Sequence, residues 1–186
     1  MEELREEWNR LMEGPTGWVV YLLLGVALAV LLHWGLSTAL STEYPVVTVE
    51  SDSMRSTLNP GDIVFVKSAE EYEPGDIIIF GGWREIPIIH RVVSRSRKVD
   101  GSIQVESWEG FDGIQDNQLR EAHESIESDI LYVTKGDNVQ DSDQERGADF
   151  VTPEDVHGRE ILKVPYLGWI KLGASRLINW ISLLFR

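Results

Sequence analysis

The sequence predicts a mainly β domain carried on an N-terminal membrane-spanning helix and followed by a C-terminal amphipathic helix. Three observations lead there. The run from Gly17 to Leu40 contains no Asp, Glu, Lys or Arg. Short β-branched runs follow it, two of them entered from the breakers Pro60-Gly61 and Pro74-Gly75. The last residues repeat polar side chains every three or four positions.

The first run, GWVVYLLLGVALAVLLHWGLSTAL, is long enough at about 1.5 Å per residue to span a hydrocarbon core of roughly 30 Å. A cleavable signal peptide has a shorter apolar region, about 7 to 15 residues, behind a basic start. Here residues 1–16 form a polar, mostly acidic lead instead. Trp18, Tyr21 and Trp34 suit the interfacial belts of a span over 17–40, and His33 reads as a packing or interfacial residue. Arg5 and Arg10 precede the run, and no Lys or Arg follows it until Arg55. The positive-inside rule therefore predicts a cytoplasmic lead and an extracytoplasmic domain over 41–170.

Within that domain Val46–Val49, Asp62–Lys67, Asp76–Phe80, Ile88–Val93, Ile130–Thr134 and Ile161–Val164 have strand length and β-branched content. Repeated short strands entered from tight turns indicate a mostly β fold. From residue 94 to 129 polarity rises and glycines punctuate the chain, which reads as an acidic insertion holding a small hairpin and a helical turn. Trp108 and Phe111 are expected to pin it to the core. Over 171–186, Ser175, Asn179, Ser182 and Arg186 make one polar stripe on an otherwise apolar helix. That helix reaches only about 24 Å and is expected to lie at the membrane surface rather than cross it.

A chain of 186 residues has room for one modest core beside the membrane segment. It has no cysteine, which excludes disulfides, thiolate metal sites and a cysteine nucleophile. Seventeen Lys and Arg stand against 31 Asp and Glu, a net charge of −14, and this argues against a nucleic-acid partner. Between Asp100 and Asp129 the acids have only Arg120 as basic company. Such a surface suits a salt-rich habitat, and equally an ordinary soluble protein.

The chemistry sits in Ser51-Asp52-Ser53-Met54, His90-Arg91-Val92 and Lys135-Gly136-Asp137. A serine hydroxyl is a weak nucleophile until a neighbouring base takes its proton. His90 can serve, since a neutral imidazole accepts that proton and returns it to a leaving amine. A carboxylate must then hold the imidazole, and Asp137, Asp141 and Asp143 are all candidates that composition alone does not separate. Asp141-x-Asp143-x-Glu145 also resembles the start of a calcium loop. Arg146 occupies its glycine position and Thr152 its final glutamate, so no metal is expected there. His123 and His157 lie in polar surroundings and read as surface histidines.

These boxes, in this order behind an anchor, resemble the type I signal peptidases, peptidase family S26, in the branch found in archaea and the endoplasmic reticulum. Gly61-Asp62, Gly75-Asp76-Ile77, Thr134-Lys135-Gly136-Asp137-Asn138 and Val164-Pro165-Tyr166-Leu167-Gly168-Trp169 match further family elements. His90 stands where bacterial relatives carry lysine. The resemblance implies a signal-peptidase-like β domain with Ser53 as nucleophile, His90 as base, Asp143 as its acid partner and Asp137 in support. It implies an oxyanion site from the Ser53 N–H and the Ser51 hydroxyl, and no cofactor. The implied substrates are signal peptides of secretory precursors, bound as an added strand and cut after small residues. Membrane lipid and the translocation machinery are the implied company. The family usually has glycine at Asp52 and proline at Ser56. Asp52 beside the nucleophile, together with the insertion, motivates a second reading, an impaired paralogue that binds or scaffolds. A third is a related peptidase acting on pseudopilin-like or surface-layer precursors.

Overall fold

The computed structural model describes Glu6, residues 15–81 and residues 86–168. The chain divides into two compact units between Ala39 and Leu40. Helix α1 (Pro15–Leu40) dominates the first. Its side chains are apolar all round and uncovered, with Trp18 81% and Leu31 67% exposed. A helix that buries no face in protein needs an apolar solvent, and the stretch Gly17–Leu40 has the length and composition of a single membrane anchor. The expected helix over 171–186 lies outside the described residues.

The second unit is built on one antiparallel sheet of seven strands. They are β1 (Val46–Thr48), β2 (Ile63–Lys67), β3 (Ile77–Phe80), β4 (Ile88–Val99), β5 (Ser102–Ser107), β6 (Ile130–Lys135) and β7 (Val156–Val164). Their order is β1-β2-β7-β3-β4-β5, and β6 pairs with the other edge of β4. Helix α2 (Asp116–Ser125) interrupts the strands between β5 and β6. The mainly β class expected from the turn-punctuated apolar runs is the class observed.

The all-apolar stretch of β3 has a direct structural meaning. Ile77 and Ile79 pack with Val49, Met54, Leu58, Val64 and Val66, whereas Ile78 and Phe80 pack with Tyr72, Val92, Tyr132, Val151 and Val156. Side chains alternate across a strand, so a strand buried on both faces carries apolar residues at every position.

Two strands run further than their composition suggests. β4 continues past Val93 to Val99 because Ser94 and Ser96 are buried between β5 and β6. Arg95 and Arg97 on the opposite face pair with Glu71, and Arg95 also with Glu106 at 2.5 Å. β7 begins at Val156, directly after the short turn Pro153–Asp155. The segment 94–129 thus contains the end of β4, a hairpin turning at Asp100-Gly101 (φ 48° and 78°), and the ten residues of α2.

Candidate active site

Ser53 lies in the turn that follows β1, and the core determines which way it points. Met54 and Leu58 are 1% and 0% exposed, and the Leu58 N–H donates to the Met54 carbonyl at 2.8 Å. With those two side chains anchored inward, the Ser53 hydroxyl is left half-buried at the surface, 3.0 Å from the Ser51 hydroxyl. The turn is fixed at its far end by Asp62, which accepts from the backbone N–H groups of Asn59 and Tyr166.

His90 comes from β4, opposite Ile78 of β3, and is 7% exposed. Its Nδ1 lies 2.6 Å from Oδ2 of Asp143, which is 4% exposed. Asp143 is held by β6, since its N–H donates to the Thr134 carbonyl at 2.8 Å and its carboxylate accepts the Thr134 hydroxyl at 2.7 Å. An ionised carboxylate only accepts, so this contact calls for a proton on Nδ1, and in a neutral imidazole Nε2 is then the lone-pair acceptor. Of the three carboxylates that composition left open, the geometry brings Asp143 to His90. Asp141 is exposed.

Asp137 is placed elsewhere. Arg91 grips it with Nε at 2.9 Å and Nη2 at 2.7 Å, and the Thr57 hydroxyl donates to it at 2.5 Å. Burial alone would raise its pKa. The hydrogen bonds from Arg91 and Thr57, with the charges of Arg91 and His90, overcome that and hold the carboxyl below the usual carboxylate range.

Gly136 separates these groups by a margin only a missing side chain allows. A Cβ there would stand 2.6 Å from the Ser53 carbonyl oxygen and 3.1 Å from His90 Nε2. The next residue ties the loops together: the Asn138 N–H donates to the Ser53 carbonyl at 2.8 Å, and its side-chain amide donates to the Asp52 carbonyl at 3.1 Å.

Ser51, Ser53, His90 and Asp143 all line one groove of about 810 Å³. Two of its walls include Val46–Thr48 of β1 and Ile86–Ile89, the latter leading into His90. β1 pairs only with β2, and β6 joins β4 only from Arg91 onward, so among the described residues both walls present strand edges that no other strand occupies. Open strand edges of this kind can pair with an extended peptide.

Asp52 does not lean into the site. Its side chain is 59% exposed and pairs with Arg55 at 3.0 Å. Ser56 has φ 81°, a left-handed conformation closed to a proline ring, which is locked near −65°. A proline at this position would need a different backbone.

Three expectations change. His123 is not a surface residue: it is 5% exposed, with Nε2 3.0 Å from the Ser96 hydroxyl. The spacing Leu119, Ala122, His123 along α2 was the available signal, since those positions share one helix face. His157 is half-buried against the Tyr44 ring, with centroids 4.5 Å apart. Trp108 stays 42% exposed and covers the Arg91 guanidinium instead of entering the core.

Residues 30–107 match the Peptidase S24-like family model. The chain is 30% identical over 164 residues to the signal peptidase complex catalytic subunit sec11 of Talaromyces marneffei, covering 84% of this chain and 79% of that protein. It is 28% identical over 151 residues to the SEC11 subunit of Colletotrichum graminicola, covering 77% and 72%. It is also 28% identical over 153 residues to the human SEC11C subunit, covering 79% of this chain and 66% of that protein's length.

Proposed function

The chain belongs to the family of signal peptidase complex catalytic subunits, and on that premise we propose that it is a membrane-anchored serine endopeptidase that removes signal peptides from secretory precursors. The observation that carries the reading is the buried His90–Asp143 pair at 2.6 Å beside Ser53, in a groove bounded by two open strand edges. An extended precursor pairs its backbone with those edges. Val49, Met54 and Ile89 line the groove that holds Ser53, an apolar lining that suits the small side chains this reading expects before the cut.

In the first step Ser53 Oγ attacks the scissile carbonyl carbon and its proton passes to His90 Nε2. Asp143 keeps the imidazole in the accepting tautomer and stabilises the imidazolium. The oxyanion is met by the Ser53 N–H and the Ser51 hydroxyl, which lies within 3.0 Å of the nucleophile. Collapse breaks the C–N bond, and the proton on Nε2 goes to the leaving amine. Water then adds to the acyl carbonyl as its proton passes to His90 Nε2; the C–Oγ bond breaks, His90 returns that proton to Ser53 Oγ, and the acid product leaves. The helix Gly17–Leu40 would anchor the enzyme, with residues 1–16 in the cytoplasm and the β domain outside. The acidic surface suits activity in concentrated salt.

The test is cleavage of a model precursor, with alanine at the first and third positions before the cut, by detergent-solubilised protein at low and multimolar salt. Wild type should cut once, after the alanine, while Ser53→Ala and His90→Ala should lose at least about a thousandfold in rate. A folded wild type that made no more product than Ser53→Ala in either salt would overturn the enzyme reading in favour of a binding subunit.

A further inference from the structure

Trp108 lies just beyond β5, outside the groove, yet it begins a continuous chain of contacts that ends at the nucleophile. Its N–H donates to the Val93 carbonyl at 2.8 Å, which fixes the residue beside β4. Its ring faces Arg91, with the guanidinium carbon 4.7 Å from the ring centroid. The ring edge also lies beside Gly75, where a Cβ would meet it at 3.4 Å, an ordinary contact distance. The Gly75 carbonyl accepts from Arg91 Nη1 at 2.6 Å, leaving Nε and Nη2 for Asp137. The Arg91 side chain is only 13% exposed although Trp108 is well exposed, so the ring is its cover on the solvent side. From Asp137 the path is short. The Asp137 N–H points at the Met54 sulfur at 3.4 Å, and the Asn138 N–H holds the Ser53 carbonyl.

We propose that Trp108 is a positioning residue for the nucleophile: by stacking on Arg91 it keeps the Arg91–Asp137 fork in register, and the loop of Asp137 and Asn138 in turn sets Ser53 against His90. Two physical effects converge on this role. An aromatic face attracts a guanidinium, more strongly as water is excluded. A bidentate fork is directional, so a guanidinium free to rotate loses one of its two parallel hydrogen bonds. The segment least like an active site, the hairpin and turn before α2, thereby acquires a part in setting the turnover rate.

The inference rests on the peptidase reading, and the experiment separates the two. Full-length protein in detergent is assayed on the alanine precursor peptide, with Ser53→Ala as the blank. A wild type indistinguishable from the blank sinks the peptidase reading itself; a wild type that cuts allows the role of Trp108 to be judged. Trp108→Ala should lower kcat by about three- to thirtyfold, the span of a cation–π contact, with KM unchanged. Trp108→Phe should recover most of the loss, and Trp108→Leu, which keeps bulk without a π face, should not. In a double-mutant cycle Trp108→Ala should add nothing once Arg91→Lys has removed the fork. An unchanged kcat, losses that multiply across the cycle, or equal rates for the Phe and Leu variants would each overturn the role. If Trp108→Ala does not fold, the Phe and Leu pair decides alone.

Discussion

Asp137 and Asp143 both follow β6, both are largely buried and both meet a basic residue of β4, yet their partners behave oppositely. Arg91 brings a guanidinium, and its fork with Asp137 holds for as long as that carboxyl is ionised. In the proposed mechanism His90 takes the serine proton and gives it back, so its bond to Asp143 would alternate between a hydrogen bond and an ion pair. Consecutive residues of a strand point to opposite faces. One strand thus sends an imidazole to one loop and a guanidinium to the other. The two aspartates are chemically alike, so the roles proposed for them differ through the partner each receives.

The comparison breaks first at Asp143. Asparagine there can donate toward Nδ1 and favour the wrong tautomer, so Asp143→Asn should cost about 10³- to 10⁴-fold in kcat with stability nearly unchanged. A rate loss below tenfold would remove Asp143 from the mechanism. Asp137→Asn should show the reverse emphasis. Leaving Arg91 buried without its anion costs about 3–5 kcal/mol in unfolding free energy, with a smaller loss of rate. Denaturant unfolding beside steady-state kinetics separates the two patterns.

Acid sharpens the same contrast. Because the folded state holds the Asp137 carboxyl below its usual range, the unfolded chain takes up the proton first as pH falls. Its stabilisation is complete above the unfolded value near pH 3.9 and disappears as pH drops through the lower folded value. Unfolding titrations of wild type and Asp137→Asn should therefore converge in acid and diverge toward neutrality. Parallel curves would place the acid sensitivity on other groups. The smallest effect belongs to Asp52, whose exposed pair with Arg55 is worth about 0–1 kcal/mol. Asp52→Asn should leave kcat within about twofold at low salt, and a large gain would mean that its charge does oppose the oxyanion.

Much of this arrangement was legible in the residues. The apolar Asp76–Phe80 run signalled a strand, and the serine, histidine and aspartates appeared in a chemically meaningful order. Two kinds of information were not local. Choosing between Asp137 and Asp143 depended on which of them Arg91 had already claimed, a fact of tertiary pairing. The end of β4 was hidden because Ser-Arg-Ser-Arg alternates polar with polar. Ser96 becomes a core residue only with His123 of α2 as partner, and the arginines become a strand face only with Glu71 and Glu106 to meet them. Trp108 was misplaced for a related reason, since a large aromatic reads as core until a guanidinium appears for it to cover.

The divided allegiance of β3 bears on how the domain comes apart. Ile77 and Ile79 serve one apolar cluster while Ile78 and Phe80 serve the other, all on four consecutive residues. Neither cluster can melt without pulling its neighbour's wall away, so the two share a single unfolding event. Of the groove walls, Val47 and Ile89 pack against the first cluster and Ile88 against the second. Heating should therefore leave the site intact until the whole sheet is lost, with no partly open species in between.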